Sequence, residues 1–88
     1  MTNFETLDIR GQSYFTGFEL ASKAFTRIKN NGVLEIILDQ RRNLTEAFKI
    51  WAKSKGYKIS DIDVGHEMVR LFIKKGGRAL GEKTAKFR

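Results

Sequence analysis

The sequence of 88 residues contains no cysteine and a single histidine, His66. Without a thiol, its own side chains cannot form a disulfide, carry a persulfide or build a thiolate metal site. His66 falls in a predicted turn, and no group of histidine and carboxylate residues has metal-ligand spacing. Gly76-Gly77 lacks the pattern of a phosphate-binding loop. We therefore expect neither a catalytic residue nor a bound metal or cofactor, and the protein is not expected to be an enzyme.

The sequence also lacks a long apolar run. No stretch approaches the roughly 20 apolar residues of a membrane helix. The first residues, Met1-Thr2-Asn3-Phe4-Glu5, lack the charged start and apolar centre of a signal peptide. These two features predict a cytoplasmic protein that does not enter the membrane.

The sequence has an excess of positive charge. Its formal net charge is +7, from 17 basic and 10 acidic residues. We expect one domain over residues 1–75 and a basic, flexible tail over residues 76–88, where glycine and lysine follow one another without periodicity. A basic balance favours acidic partners, such as nucleic acid or an acidic protein surface. The alternative is that the charges only keep exposed faces soluble.

Two helix starts are predicted from capping patterns. Thr16 and Glu19 have the spacing of a capping box, and Phe15 and Leu20 have the spacing of a hydrophobic staple around it. Asn30-Asn31-Gly32 predicts the end of this first helix.

The second helix shows the same signals. Asn43 and Glu46 repeat the cap spacing at its predicted start, and Gly56 predicts its end.

The strands follow from runs of apolar residues and from alternation. Four are predicted, over residues 4–9, 33–38, 57–64 and 68–74, with a hairpin turn at Gly65-His66. The order is β-α-β-α-β-β. Two β-α-β units followed by a hairpin predict an α+β two-layer sandwich, in which two helices pack on one face of a four-stranded mixed sheet.

Polar residues follow the first two strands at the edge where the helices begin. Parallel strands end at the same edge, and helix N-termini there direct free N–H groups toward ligands. This edge predicts a site for an anion or a protein. The alternative to a binding site is that the caps only stabilise the helices and the arginines are solvated. The candidate binding residues are Arg10, Ser13, Tyr14, Phe15, Asp39, Arg41 and Arg42.

Four segments resemble the small sulfur-carrier proteins of the TusA/SirA family, in order and in spacing. Leu7-Asp8-Ile9-Arg10-Gly11 is similar to the family's L-D-x-x-G, and Asn31-Gly32-Val33-Leu34-Glu35-Ile36 to its P-G-E-x-L-x-[IV]. Asp39 stands at the first position of D-D-P, and Leu71-Phe72-Ile73-Lys74-Lys75-Gly76-Gly77 is similar to the last strand. The resemblance covers residues 5–77 and implies the same fold.

The sequence departs from that family at the residue that carries sulfur. The family's C-P-x-P motif is replaced by Tyr14-Phe15-Thr16-Gly17, so Tyr14 stands in place of the cysteine. A phenol cannot form a persulfide, since that chemistry needs a thiolate. Gln40 and Arg41 replace the last two residues of D-D-P. The resemblance thus implies the fold and a partner surface, without sulfur transfer.

The sequence leaves three functions open. The first is a non-catalytic member of this family that binds a protein partner, by resemblance one of sulfur trafficking or tRNA thiolation, or an anionic ligand. The second is a nucleic-acid-binding module that uses the tail with Arg41, Arg42, Lys49 and Lys53, and whose architecture resembles the C-terminal domain of a bacterial translation initiation factor. The third, an enzyme with an unfamiliar site, has no positive feature in the sequence.

Overall fold

The computed structural model describes residues 2–40 and 42–76, except the side chain of Arg42. The predicted order β-α-β-α-β-β is confirmed. Residues 77–88, nearly all of the predicted tail, lie outside the described residues. The elements are β1 (Thr2–Asp8), α1 (Tyr14–Arg27), β2 (Ile28–Asp39), α2 (Arg42–Ser54), β3 (Lys58–Val64) and β4 (Met68–Lys74).

The four strands form one mixed sheet in the order β1-β2-β4-β3. β1 and β2 are parallel, whereas β4 is antiparallel to both of its neighbours, β2 and β3. Both helices pack against this sheet, so the predicted α+β fold is confirmed. No helix in the described ranges is long and apolar enough to cross a membrane.

Residue alternation separates the sheet into two faces. The covered face packs against the helices, and its centre is fully buried: Leu34, Ile36, Leu38, Leu71 and Ile73. From the helices, Ala21, Phe25, Leu44 and Phe48 complete this core. The strand residues between the buried ones point to the other side, which we call the open face. It consists of Phe4, Thr6, Asp8, Val33, Glu35, Ile37, Met68, Arg70, Phe72, Lys74, Lys58, Asp61 and Asp63.

The start of α1 differs from the prediction. Its N-cap is Ser13, whose Oγ accepts a hydrogen bond from the backbone N–H of Thr16 at 3.2 Å. Thr16 therefore lies inside the first turn, and the predicted capping box of Thr16 and Glu19 is wrong. The physical reason is that Ser13 stands three residues before Thr16, the spacing at which a capping side chain reaches a backbone N–H. The Ser13 hydroxyl therefore caps a helix that begins at Tyr14.

The end of α1 also comes earlier than predicted. α1 ends at Arg27, and β2 continues through Asn30-Asn31-Gly32, where its register with β1 is irregular. Asn31 takes the left-handed conformation, at φ 70°, and lets the strand continue. Gly32 is needed for a close approach, because a Cβ there would lie 2.9 Å from the backbone oxygen of Asn3.

Lys75 joins the end of α1 to the end of β4. Its Nζ donates to the carbonyl oxygens of Phe25 and Ile28, both at 2.7 Å. Its backbone exchanges hydrogen bonds with Asn31 and Gly32 at 2.8 Å. A lysine at a helix C-terminus satisfies the last carbonyls and complements the helix dipole.

α2 begins at Arg42, so Asn43 lies in its first turn rather than at the predicted cap. The predicted ending is confirmed. Gly56 takes a left-handed φ of 81°, and the N–H of Tyr57 donates to the carbonyl of Ala52 at 2.9 Å. Only a residue that tolerates positive φ can turn the chain here from the helix into β3.

Candidate binding site

The structure brings most of the predicted site together at the edge where β1 and β2 end, which we call the carboxyl edge. β1 ends at Asp8 and β2 ends at Asp39, and the parallel pairing places these ends side by side. The backbone N–H of Gly11 donates to Oδ2 of Asp39 at 2.7 Å. This bond joins the loop before α1 to the end of β2. Arg41 and the side chain of Arg42 lie outside the described residues.

A shallow depression of about 600 Å³ opens at the carboxyl edge. Its lining residues are Asp8, Arg10, Gly11, Asp39 and Glu67. Glu67 comes from the turn between β3 and β4 and was not among the predicted residues. Periodicity could not reveal it, because its place depends on the antiparallel return of β4 beside β2.

Arg10 is engaged by Asp8, the last residue of β1. Its Nη2 lies 2.7 Å from Oδ2 of Asp8, and its Nε lies 2.9 Å from Oδ1. The side-chain hydrogen bonds from Arg10 lower the pKa of Asp8, and the same bonds raise the pKa of Arg10. The guanidinium is therefore already paired, and the described charges of the depression are one cation and three carboxylates.

Two aromatic side chains are exposed in the first turn of α1, which begins at Tyr14, close in sequence to Gly11 of this depression. Tyr14 is 40% exposed and Phe15 is 79% exposed. The predicted staple between Phe15 and Leu20 is wrong, because α1 begins before Phe15 and leaves its ring in solvent. The ring of Tyr14 lies 6.5 Å from that of Phe18, one turn further along the helix.

Phe15 also lies at a groove between the outer surfaces of α1 and α2. The groove measures about 440 Å³ and is lined by Phe15, Phe18, Glu19, Ser22, Trp51 and Lys55. Its apolar floor is a stacked pair, with the rings of Phe18 and Trp51 6.1 Å apart and inclined by only 8°. We call Tyr14, Phe15, Phe18 and Trp51 the aromatic surface. The spacing of Phe15 and Phe18 on one helix was a sequence signal for it, but the part played by α2 was not visible.

Of the residues predicted for nucleic-acid binding, the structure describes two side chains, those of Lys49 and Lys53. Lys49 is paired with Glu46 at 3.1 Å. Lys53 lies in the last turn of α2, 11 residues beyond Arg42, which corresponds to about 16 Å along the helix. The tail and Arg41 are outside the described residues, and the two described lysines, Lys49 and Lys53, lie one turn apart on α2.

No grouping of three or more histidine and carboxylate side chains suited to a metal ion occurs in the ranges 2–40 and 42–76. His66 is exposed in the turn after β3.

The comparisons with known proteins add no identity. No protein-family model and no curated protein matches the chain. The fold and the site together define a cysteine-free α+β sandwich with an exposed aromatic surface and a carboxylate-lined depression.

Proposed function

We propose that this protein is a non-catalytic binding module that holds a protein partner at the aromatic surface and the carboxyl edge beside it. The observation that carries the proposal is the 79% exposure of Phe15 at the start of α1. Burying a phenylalanine side chain contributes about 1.5–3 kcal/mol, and a protein partner can supply the surface that buries it. Large aromatic side chains dominate the binding energy of protein interfaces.

The chemistry of the depression favours a protein over a small anion. Arg10 is already paired with Asp8, while Asp39 and Glu67 add negative charge. An anion that entered there would meet these carboxylates. A peptide segment with an apolar residue and a neighbouring basic residue is complementary, since the first fits the aromatic groove and the second the depression.

The class of partner rests on the family resemblance. A sulfur carrier must present the start of its first helix to the proteins that load and unload it. Tyr14 occupies the place of the sulfur-bearing cysteine, and its phenol cannot carry sulfur. We therefore propose that a protein of sulfur trafficking or tRNA thiolation binds here, and that this chain occupies its surface without passing sulfur on.

The test is affinity capture from native extract, with mass spectrometry to identify the bound proteins and purified partner to measure affinity. Phe15→Ala should weaken binding of the partner about 30-fold, the loss typical of a central aromatic residue of an interface. Tyr14→Ala should weaken it less. The matched control is Ile50→Ala, because Ile50 is 69% exposed on α2 and is not part of the aromatic surface.

Equal capture by Phe15→Ala and the parent protein would refute the aromatic surface as the binding site. A partner that is retained by Phe15→Ala but lost with Ile50→Ala would place the interface elsewhere on α2.

A further inference from the structure

Two lysines face each other directly on the open face. Lys58 of β3 and Lys74 of β4 are partners in the antiparallel register. Like charges placed directly opposite destabilise a strand pair. Neither lysine forms an ion pair with a carboxylate among the described residues, whereas Arg70 of β4 does. The sheet therefore keeps an uncompensated pair of positive charges.

An exposed aromatic ring lies in the same row of the sheet. Lys74 is the register partner of Val33, and Val33 is the partner of Phe4. We call Phe4, Val33, Lys74 and Lys58 the basic row. Phe4 is 52% exposed, at the opposite side of the sheet from Lys58. With strands about 4.8 Å apart, the row spans about 14 Å. Phe72 lies half-buried on the same face, two residues before Lys74.

The rest of the open face differs from this row, because its charges other than Asp61 are paired with arginine or carboxylate side chains. Nε of Arg70 donates to Oδ2 of Asp63 at 3.1 Å, and its Nη1 lies 3.5 Å from Oε2 of Glu35. Glu35, only 8% exposed, also accepts a hydrogen bond from Thr6 Oγ1 at 2.9 Å. Asp61 is an exposed carboxylate that lies between the basic row and the ion pairs of Arg70. Its Oδ1 accepts a hydrogen bond from the N–H of Ile62.

Further positive charge lies at the same end of the molecule as the basic row. β2 begins there and α2 ends there, so the termini of these elements place three more exposed lysines at this end: Lys29, Lys53 and Lys55. None of the three has a carboxylate partner among the described residues. An anion that lies on the basic row is therefore attracted by this whole end of the molecule.

We infer that the basic row binds single-stranded nucleic acid, with Lys58 and Lys74 on the phosphates and the ring of Phe4 stacked on a base. Proteins bind single strands by combining a positive surface with aromatic rings that stack on the bases. The bases of a duplex are stacked inside it and cannot reach a ring on the surface of a sheet. An exposed ring therefore favours a single strand, whose bases are free to stack on it. The lysines account for attraction to phosphate, and Phe4 adds the preference for unpaired bases.

The test measures binding of fluorescent oligouridylate and oligothymidylate, about 12 nucleotides long, to the full chain across a salt series. Binding should weaken as salt rises. Lys58→Glu and Lys74→Glu should each lower affinity and reduce the slope of log K against log salt by about 0.7, the share of one phosphate on a single strand. Phe4→Ala should lower affinity about tenfold and leave the slope unchanged, because stacking does not release counterions.

The matched control is Lys23→Glu, the same charge change at an exposed lysine near the end of α1, at the same end of the molecule but in the helix layer. It should lower affinity less than Lys58→Glu and leave the salt slope near that of the parent, because Lys23 adds to the attraction without contacting a phosphate. The inference is overturned by absent binding at low salt, by equal losses for Lys23→Glu and Lys58→Glu, or by a duplex that binds as tightly as the single strand. Phe15→Ala should not change the affinity for these oligonucleotides, so failure here is separate from failure of the proposed protein-binding function.

Discussion

The two faces of the sheet have opposite chemistry, although the same strands build both. On the covered face, alternate residues of β2 and β4 are apolar and fully buried, as at Ile36 and Leu71. On the open face, their neighbours Glu35 and Arg70 form an ion pair. Stability is therefore concentrated on one side of the sheet, and the other side can carry charge at little cost to folding. Antiparallel pairing permits this arrangement, because such sheets can expose one face to water.

The two faces also differ in how their charges are compensated. The covered face contributes no charged residue to the core cluster. On the open face the carboxylates of Asp8, Glu35 and Asp63 are paired with arginines, whereas the lysines of the basic row are uncompensated. The two binding surfaces that we propose rest on such features: the exposed ring of Phe15 for a protein, and the lysine pair for nucleic acid.

The largest expected effect compares two isoleucines that are adjacent in sequence. Ile36 is 0% exposed on the covered face, and Ile37 is half-buried on the open face. Ile36→Ala should lower the free energy of unfolding by about 2–5 kcal/mol, from lost burial and from the cavity left behind. Ile37→Ala, with the same atoms removed, should cost less than half as much.

Urea denaturation of both variants, followed by circular dichroism, measures the difference. Equal losses would contradict the separation of the faces, because they would show that Ile37 is packed as tightly as Ile36.

Element type and order could be predicted from the sequence because they depend on local periodicity. The four strands and two helices all appear, and β4 has the predicted bounds, Met68–Lys74. Element starts were less predictable. Ser13 and Thr16 offer competing caps, and Asn31 turns within a strand where a helix end was predicted. Such choices depend on which backbone groups the tertiary fold leaves to be satisfied.

The candidate site could be predicted in part. The convergence of Arg10, Ser13, Tyr14 and Asp39 at one edge follows from the β-α-β order alone. The pairing of Arg10 with Asp8 and the contribution of Trp51 depend on side-chain geometry and helix packing. The lysine pair needed the strand register, since Lys58 and Lys74 are 16 positions apart and sequence gives no register.

The next prediction concerns the paired charges at the carboxyl edge. Hydrogen bonds from Arg10 lower the pKa of Asp8 from its ordinary value of 3.8. In the acid range the unfolded chain thus binds more protons than the folded chain at this group. Its stabilisation is present above about pH 4 and is lost as pH falls through the lowered pKa. Because the pair is exposed, its contribution to stability is small.

Asp8→Asn removes this titration. The variant should be slightly less stable than the parent at pH 7 and should lose less stability between about pH 4 and pH 2. Thermal unfolding at several pH values measures both. Glu5 is the reference for the acid-dependent loss that should remain in Asp8→Asn. A side-chain hydrogen bond from Arg27 lowers the pKa of Glu5 as well, and this pair is unchanged in the variant. Parallel profiles for the parent and Asp8→Asn would show that the pair with Arg10 does not stabilise the fold.

The smallest expected effect has the opposite sign and separates folding from binding on the open face. Lys58→Glu places a carboxylate directly opposite Lys74 and replaces a like-charge pair by an attractive one. Cross-strand pairs of this kind contribute about 0.2–1 kcal/mol, so the free energy of unfolding should rise by some tenths of a kcal/mol. The gain should shrink at high salt, because ions screen exposed charges. Reversing the charge of Lys23 instead should give no such gain, because no lysine faces Lys23 in a strand register.

A fall in stability for Lys58→Glu would show that Lys58 already has a compensating contact. A rise in stability together with a loss of oligonucleotide binding would mean that the lysine pair serves a ligand at the expense of the fold.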